Sequence, residues 1–278
     1  MNEFGTRPPV RACEYWSAIG ARAGVVQVAI PRTGPSEMVT DPLATPTGPG
    51  QANNFRNRAG SQIAQPHVTN VYLGDFWGGD TTFLEGFSKA IVERGYLAPL
   101  ATLGYGTGPG RYLGSVSAPG PAHGEVLTDA DIQGLIGGML DAGSLTADES
   151  SLFMLMLPTG VVSQISGAAE QFCLKYCGYH EAFAHNGIMI AYSVLPSPSG
   201  CTGCGNGAIG DFTAVYSHEL AEACTDKVPG QGWMDDDGWE NGDLEAWILK
   251  SWGPPEQPDR YTVQGYYTNE QGNTLGGW

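Results

Sequence analysis

Apolar positions along this chain fall into short runs and four-residue stripes. Residues 68–73 (Val-Thr-Asn-Val-Tyr-Leu) and 152–157 (Leu-Phe-Met-Leu-Met-Leu) read as buried strands, the second a central one that stops at Pro158. Residues 188–195 and 261–267 read as two more strands. Between them lie helical stripes. In 81–95, Phe83, Phe87 and Ile91 recur every fourth position behind a Thr82/Glu85 capping box. In 128–142, Ile132, Leu135, Ile136, Met139 and Leu140 share a face, Thr128 caps the start with Asp131 in the box position, and Gly143 ends the helix. Gly134, Gly137 and Gly138 weaken that helix or permit close packing. A third helix, 212–224, would bury Phe212, Val215, Tyr216, Leu220 and Ala223 on one side. Strands with interleaved helices predict an α/β fold, a mixed β-sheet with packed helices, joined by long Gly/Pro-rich loops.

The first part of the chain is different. Residues 23–30 are apolar enough for one strand, but 31–65 lack periodicity and are rich in Pro, Gly, Asn and Thr. The expected organisation is therefore an extended N-terminal segment, 1–66, followed by a single α/β domain, 67–278. Within the domain, Gly104, Gly106, Gly108 and Gly110 do not form a nucleotide loop. Pro109 interrupts them and the lysine of a phosphate loop is missing. Residues 97–112 read instead as a flexible surface loop.

Charge narrows the partners. Lys and Arg number 13 against 29 Asp and Glu, a net charge of -16. That balance repels phosphate backbones, so nucleic acid is excluded, and it suits a secreted protein or a binder of hard cations. No run of 18 apolar residues is present, so no membrane span is expected. Met1-Asn2-Glu3-Phe4 lacks the basic and apolar regions of a signal peptide, as in a cytosolic start or one left after a leader is removed. Cys173, Cys177, Cys201 and Cys204 have spacing that permits a four-thiolate zinc site. Disulfides stapling a Gly/Ser/Pro loop are the preferred reading, in keeping with an extracellular setting. Cys224, at the end of the third helix, is expected to be buried.

The chemistry concentrates in Ser217-His218-Glu219-Leu220-Ala221-Glu222, an H-E-x-x-E pattern, and in the acidic stretch that follows. A spacing of four stacks His218 over Glu222 on one helix face. Glu219 beside them is placed to act on water. This is the arrangement of a zinc hydrolase helix with one histidine ligand exchanged for a carboxylate. A third ligand must follow the helix. Glu240 ranks first and Asp243 second, Asp243 having the alternative task of orienting His218. Asp226 is restricted because it belongs to the helix end. A His-Glu-Glu set neutralises more of the ion's charge than imidazoles do, so it should bind the ion well and acidify its water less. Calcium is the alternative to zinc, because it prefers oxygen ligands and Asp235, Asp236 and Asp237 add more of them, though not in EF-hand register. His180, in Cys177-Gly178-Tyr179-His180, is a candidate to bind the metal or steady an oxyanion. Trp233, Trp239 and Trp247 fit local packing or a sugar or peptide surface. Ser217 has no nucleophile elbow around it.

These residues resemble the exordium / phosphate-induced protein family. The resemblance lies in Ser217 to Asp226 (S-H-E-L-A-E-A-C-T-D), Gly232-Trp233-Met234 and Glu240-x-x-Asp243-Leu244. More weakly it takes in Val71 to Gly78, Cys177 to His180 and Tyr192 to Pro196, but not residues 1–66. Members of that group usually have Cys after the Asp-Leu pair, where this chain has Glu245, which leaves the partner of Cys224 undefined. The helix also resembles that of zincin metallopeptidases, with Glu222 in place of the second histidine. These resemblances imply a zincin-like fold, a metal site and an extracellular setting. The combined expectation is a secreted zinc-dependent hydrolase acting on a peptide or protein, with Glu219 activating water and His218, Glu222 and Glu240 holding the ion. The competing expectation is a non-enzymatic secreted protein with a structural calcium or zinc site, acting in binding or signalling. A carbohydrate-binding module with exposed tryptophans stands third.

Overall fold

A computed structural model of the protein describes residues 52–74, 80–165, 172, 173, 176–197, 199, 204 and 207–278. The expected strand at 23–30, and Cys13 and Cys201, lie outside these. In chain order the elements are β1 (Arg56–Asn57), β2 (His67–Leu73), α1 (Asp80–Glu93), α2 (Ala98–Thr102), β3 (Arg111–Ala118), β4 (Val126–Thr128), α3 (Asp129–Asp141), β5 (Ser151–Leu157), β6 (Val162–Gln164), β7 (Tyr179–His185) and β8 (Ile188–Pro196). Then come α4 (Ile209–Thr225), β9 (Trp233–Met234), a 3-10 turn (Asp243–Glu245), β10 (Leu249–Trp252), β11 (Tyr261–Gln264), β12 (Tyr266–Thr268) and β13 (Gly272–Thr274).

Five strands form the main sheet in the order β3-β2-β5-β8-β7. Neighbours are parallel except β7, which runs antiparallel to β8 at the edge. β5 is buried at all seven positions, as its unbroken apolar run requires of a strand covered on both faces. α1 and α4 cover one face: Asn70 on β2 donates to Ser88 Oγ and accepts from Tyr216 OH, at 2.9 and 3.1 Å. α3 covers the other, where Tyr179 and Tyr192 OH donate to Asp129 Oδ1 at 2.9 and 2.6 Å. Alternation along β7 then turns His180 away from Tyr179, toward α4. α3 starts as its sequence dictates, with Thr128 and Asp131 in a reciprocal capping box.

α4 departs from the one-sided helix that its apolar spacing suggests. Every residue from Phe212 to Thr225 is buried. The sheet lies on one side, and the β10–β11 hairpin closes the other. Thr213 Oγ1 donates to Thr262 O at 2.7 Å and the Gln264 N–H donates to Ser217 Oγ at 2.9 Å. The polar residues of the motif are thereby removed from water.

Other expectations change for steric reasons. Residues 261–267 are not one strand: they divide at Gly265 into β11 and β12, which belong to different hairpins. A Cβ there would come within 2.9 Å of Thr274 O. Residues 97–112 are not a floppy loop. They hold α2 and the start of β3, with Tyr105 and Thr107 buried. A Cβ on Gly110 would stand 2.0 Å from Pro66 O, so this glycine permits a backbone contact. Residues 52–66 dock on the C-terminal half, where β1 pairs with β9 and Phe55 packs between Trp233 and Tyr267. Cys177 is bonded to Cys204 and Cys173 is also disulfide-bonded, so these sulfurs make no four-thiolate zinc site. Cys224 is a buried free thiol. No helix among the described residues is long and apolar enough to cross a membrane.

Candidate metal centre

Three elements converge on the last two turns of α4. The helix supplies His218, Glu219 and Glu222, edge strand β7 supplies His180, and the 3-10 turn supplies Asp243. The return of the chain is organised by Asp226, the C-cap residue. Its N–H donates to Glu222 O at 2.7 Å, and its carboxylate accepts the backbone N–H groups of Gly230, Gln231 and Gly232 at 2.7, 3.2 and 2.6 Å. Asp226 is therefore the knot that reverses the chain. Gly232 has to be small, since a Cβ would meet Thr225 O at 2.4 Å.

Two sets of donor atoms result: His180, Glu219 and Glu222, and His218, Glu222 and Asp243. In the first, His180 Nδ1 is 3.7 Å from Glu219 Oε2 and 3.7 Å from Glu222 Oε2. In the second, His218 Nε2 is 3.0 Å from Glu222 Oε1 and 3.8 Å from Asp243 Oδ1. Ligands about 2.1 Å from a tetrahedral ion lie about 3.4 Å from each other, so both sets have metal-ligand spacing. All five side chains are withdrawn from solvent, at 0–2% exposure. Yet His180 Nδ1, His218 Nε2, both Glu219 oxygens, Glu222 Oε2 and Asp243 Oδ1 have no hydrogen-bond partner among the described residues. Buried polar atoms are almost always paired, and so many orphans facing one another fit a site for a divalent cation.

The backbone is shaped to this cluster. A Cβ on Gly178 would stand 2.9 Å from Glu219 Oε1, and one on Gly242 would stand 2.8 Å from Glu222 Oε1 and 2.9 Å from His218 Nδ1. The Asp243 N–H donates to Glu222 Oε1 at 3.0 Å, tying the 3-10 turn to the helix. His180 Nε2 lies 3.1 Å from Asp226 O, which can only accept. Nε2 therefore carries a proton, and Nδ1 is the ring nitrogen that faces Glu219 and Glu222. His218 differs: Gln264 Nε2 lies 2.7 Å from its Nδ1.

Electrostatics follow from burial and crowding. Burial pulls the His180 imidazole down, but the facing carboxylates of Glu219 and Glu222, 3.7 Å from Nδ1, outweigh it and hold it up at about 10. Burial likewise pulls His218 down, and the charge of Glu222 prevails, holding it at about 9. Burial pushes Glu222 up, but the neighbouring imidazoles win and hold it well below the usual carboxylate range. Burial raises Glu219, with His180 opposing. Asp243 and Glu240 are both raised well above the ordinary value by burial, with Glu222 adding to the first and Asp226 to the second.

Helix spacing brings His218 and Glu222 together, and Asp243 faces them. Glu240, held by a bridge to Met234, lies on the far side of His180, with its Oε2 3.6 Å from Nε2. Asp235, Asp236 and Asp237 do other work. Asp235 accepts the N–H groups of Asn53, Asp237 and Trp239, Asp236 pairs with Arg56 and Arg58, and Asp237 accepts from Asn53. They anchor the 52–66 segment, which leaves the calcium expectation without these oxygens. Trp239 is buried, and Trp233 stacks on Phe55 and Tyr105, so the exposed tryptophan row expected of a carbohydrate-binding module does not form. Gln264, Gly178 and Gly242 are not among the site residues expected from sequence, although both glycines lie inside quoted motifs. Gly178 is 41 positions from Glu219, Gly242 20 from Glu222 and Gln264 46 from His218, and only the fold brings them to the site.

No protein-family model matches the chain, and neither a curated protein nor a solved structure matches it.

Proposed function

We propose that the protein is a zinc-dependent hydrolase, with peptides or proteins as its substrate class, working outside the cell. One observation carries this reading: Glu219 is fully buried beside the motif histidine, and neither of its oxygens has a hydrogen-bond partner among the described residues. A carboxylate with no structural bond to make, raised by burial, suits proton transfer. His218, Glu222 and Asp243 would hold the ion, with Glu240 on the flank of His180. A bound zinc would supply Lewis acidity toward a water and a carbonyl. Glu219 would take a proton from the attacking water and pass it to the leaving amine. His180, with its Nε2 tied to Asp226 O, keeps the Glu219 carboxylate in place. The likeness of the motif to exordium-type and zincin sequences supports the same reading.

Digestion of a peptide library by the zinc-loaded chain and by Glu219→Gln tests it. Hydrolysis that disappears in the variant, with zinc still on His218, supports the assignment. Equal cleavage by both sinks it.

The near-complete burial of the donors favours a second reading, a closed structural ion in a non-enzymatic secreted protein. Cobalt-substituted protein separates the two. A hydroxamate changes the spectrum of an ion with an open position and leaves that of a closed one untouched.

A further inference from the structure

We propose that the centre holds two divalent cations bridged by the carboxylate of Glu222. This inference rests on the metal-binding half of the reading above and is independent of peptide hydrolysis.

The two donor sets have only Glu222 in common, and they use different oxygens of it. Oε2 faces His180 Nδ1 at 3.7 Å, while Oε1 faces His218 Nε2 at 3.0 Å. The two imidazoles fall in different sets. One ion on His218, Glu222 Oε1 and Asp243 would leave His180 Nδ1, Glu219 Oε2 and Glu222 Oε2 buried without partners. Such orphans each cost a desolvation penalty that a second cation would remove. The His180 ring is already turned as a ligand needs, with its Nε2–H held by Asp226 O and Nδ1 facing Glu219 and Glu222.

Charge points the same way. Asp226 is satisfied by three backbone N–H groups. The donor sets contain Glu219, Glu222 and Asp243, and Glu240 lies 3.6 Å behind His180, all four buried. Once ionised on metal binding, these four carboxylates match the charge of two divalent ions, whereas one ion leaves a surplus of buried negative charge at the site.

The test counts metal in the full chain, stripped with chelator and reloaded with zinc or Mn2+. Two ions per chain are expected at saturation, falling to one in His180→Ala and to one in Glu219→Gln, with the ion on His218 retained. His218→Ala should keep the other ion. Exchange coupling between two Mn2+ ions in the electron paramagnetic resonance of the unmutated chain is the second readout, and it needs no variant to fold. A single ion per chain, with an uncoupled spectrum, overturns the proposal and leaves the hydrolase reading standing. Two coupled ions without hydrolysis would do the reverse.

Discussion

Gln264 Nε2 stands 2.7 Å from His218 Nδ1, and its amide cannot turn freely. Its Nε2 also donates to Gly242 O at 2.8 Å, and its Oε1 accepts the Trp247 N–H at 2.8 Å. The amide therefore offers a donor to Nδ1. An ion on Nε2 needs the proton on Nδ1, which would set two donors face to face. Gln264→Glu keeps the acceptor for Trp247 and gives Nδ1–H an acceptor of its own, while giving up the bond to Gly242 O. Zinc affinity at this seat should rise about 10-fold, within the range of outer-shell effects. Competition with a chromogenic chelator measures it, and unchanged or weaker binding would show that the ring does not carry its proton on Nδ1.

Gly242 has no room for a side chain. A methyl there would stand 2.8 Å from Glu222 Oε1 and 2.9 Å from His218 Nδ1. Gly242→Ala should cost about 1–3 kcal/mol of stability, as overpacking does, and should weaken zinc binding at His218. Chemical denaturation and metal titration check the two effects. Normal affinity in a folded variant would mean that the 3-10 turn yields without disturbing the ligands.

Proton competition sets the pH dependence of metal binding. His180 is held at about 10 in the metal-free protein, so it is protonated at neutral pH. Its folded value lies above its unfolded value of 6.5. The resulting stability is fully present below pH 6.5 and is lost as the pH rises through about 10. A cation must displace this proton, so the sign for binding is opposite: zinc affinity should rise about 10-fold per pH unit for each proton displaced. Titrations at three pH values between about 6 and 8 should give a slope of one or more. A flat profile would show a neutral imidazole.

The docked 52–66 segment separates packing from surface charge. Phe55 is buried against Trp233, Tyr105 and Tyr267, and Phe55→Ala should cost about 3–5 kcal/mol. Asp236 pairs with Arg56 and Arg58 in the open, and Asp236→Asn should barely move the unfolding midpoint. Thermal melts of the two variants make the comparison. Equal losses would mean that the ion pairs, rather than the aromatic cluster, hold the segment.

Local chemistry in the sequence was enough for several elements and for half of the site. Thr128 and Asp131 cap α3 because a capping box is a property of neighbours in sequence. The run at β5 marks a central strand because only full burial accommodates it. His218 and Glu222 face each other because a helix repeats every 3.6 residues. Tertiary structure decided the rest. β7 has no apolar run of its own and exists through its pairing with β8. That pairing carries His180 to Glu219, 39 positions away in sequence. Choosing Asp243 over Glu240 to face His218 depended on the reversal knotted by Asp226, and burial of all sides of α4 depended on the β10–β11 hairpin. Short-range spacing fixes what one helix presents. Which distant atoms meet it is settled by chain reversal and sheet pairing, and these have no signature within a single segment.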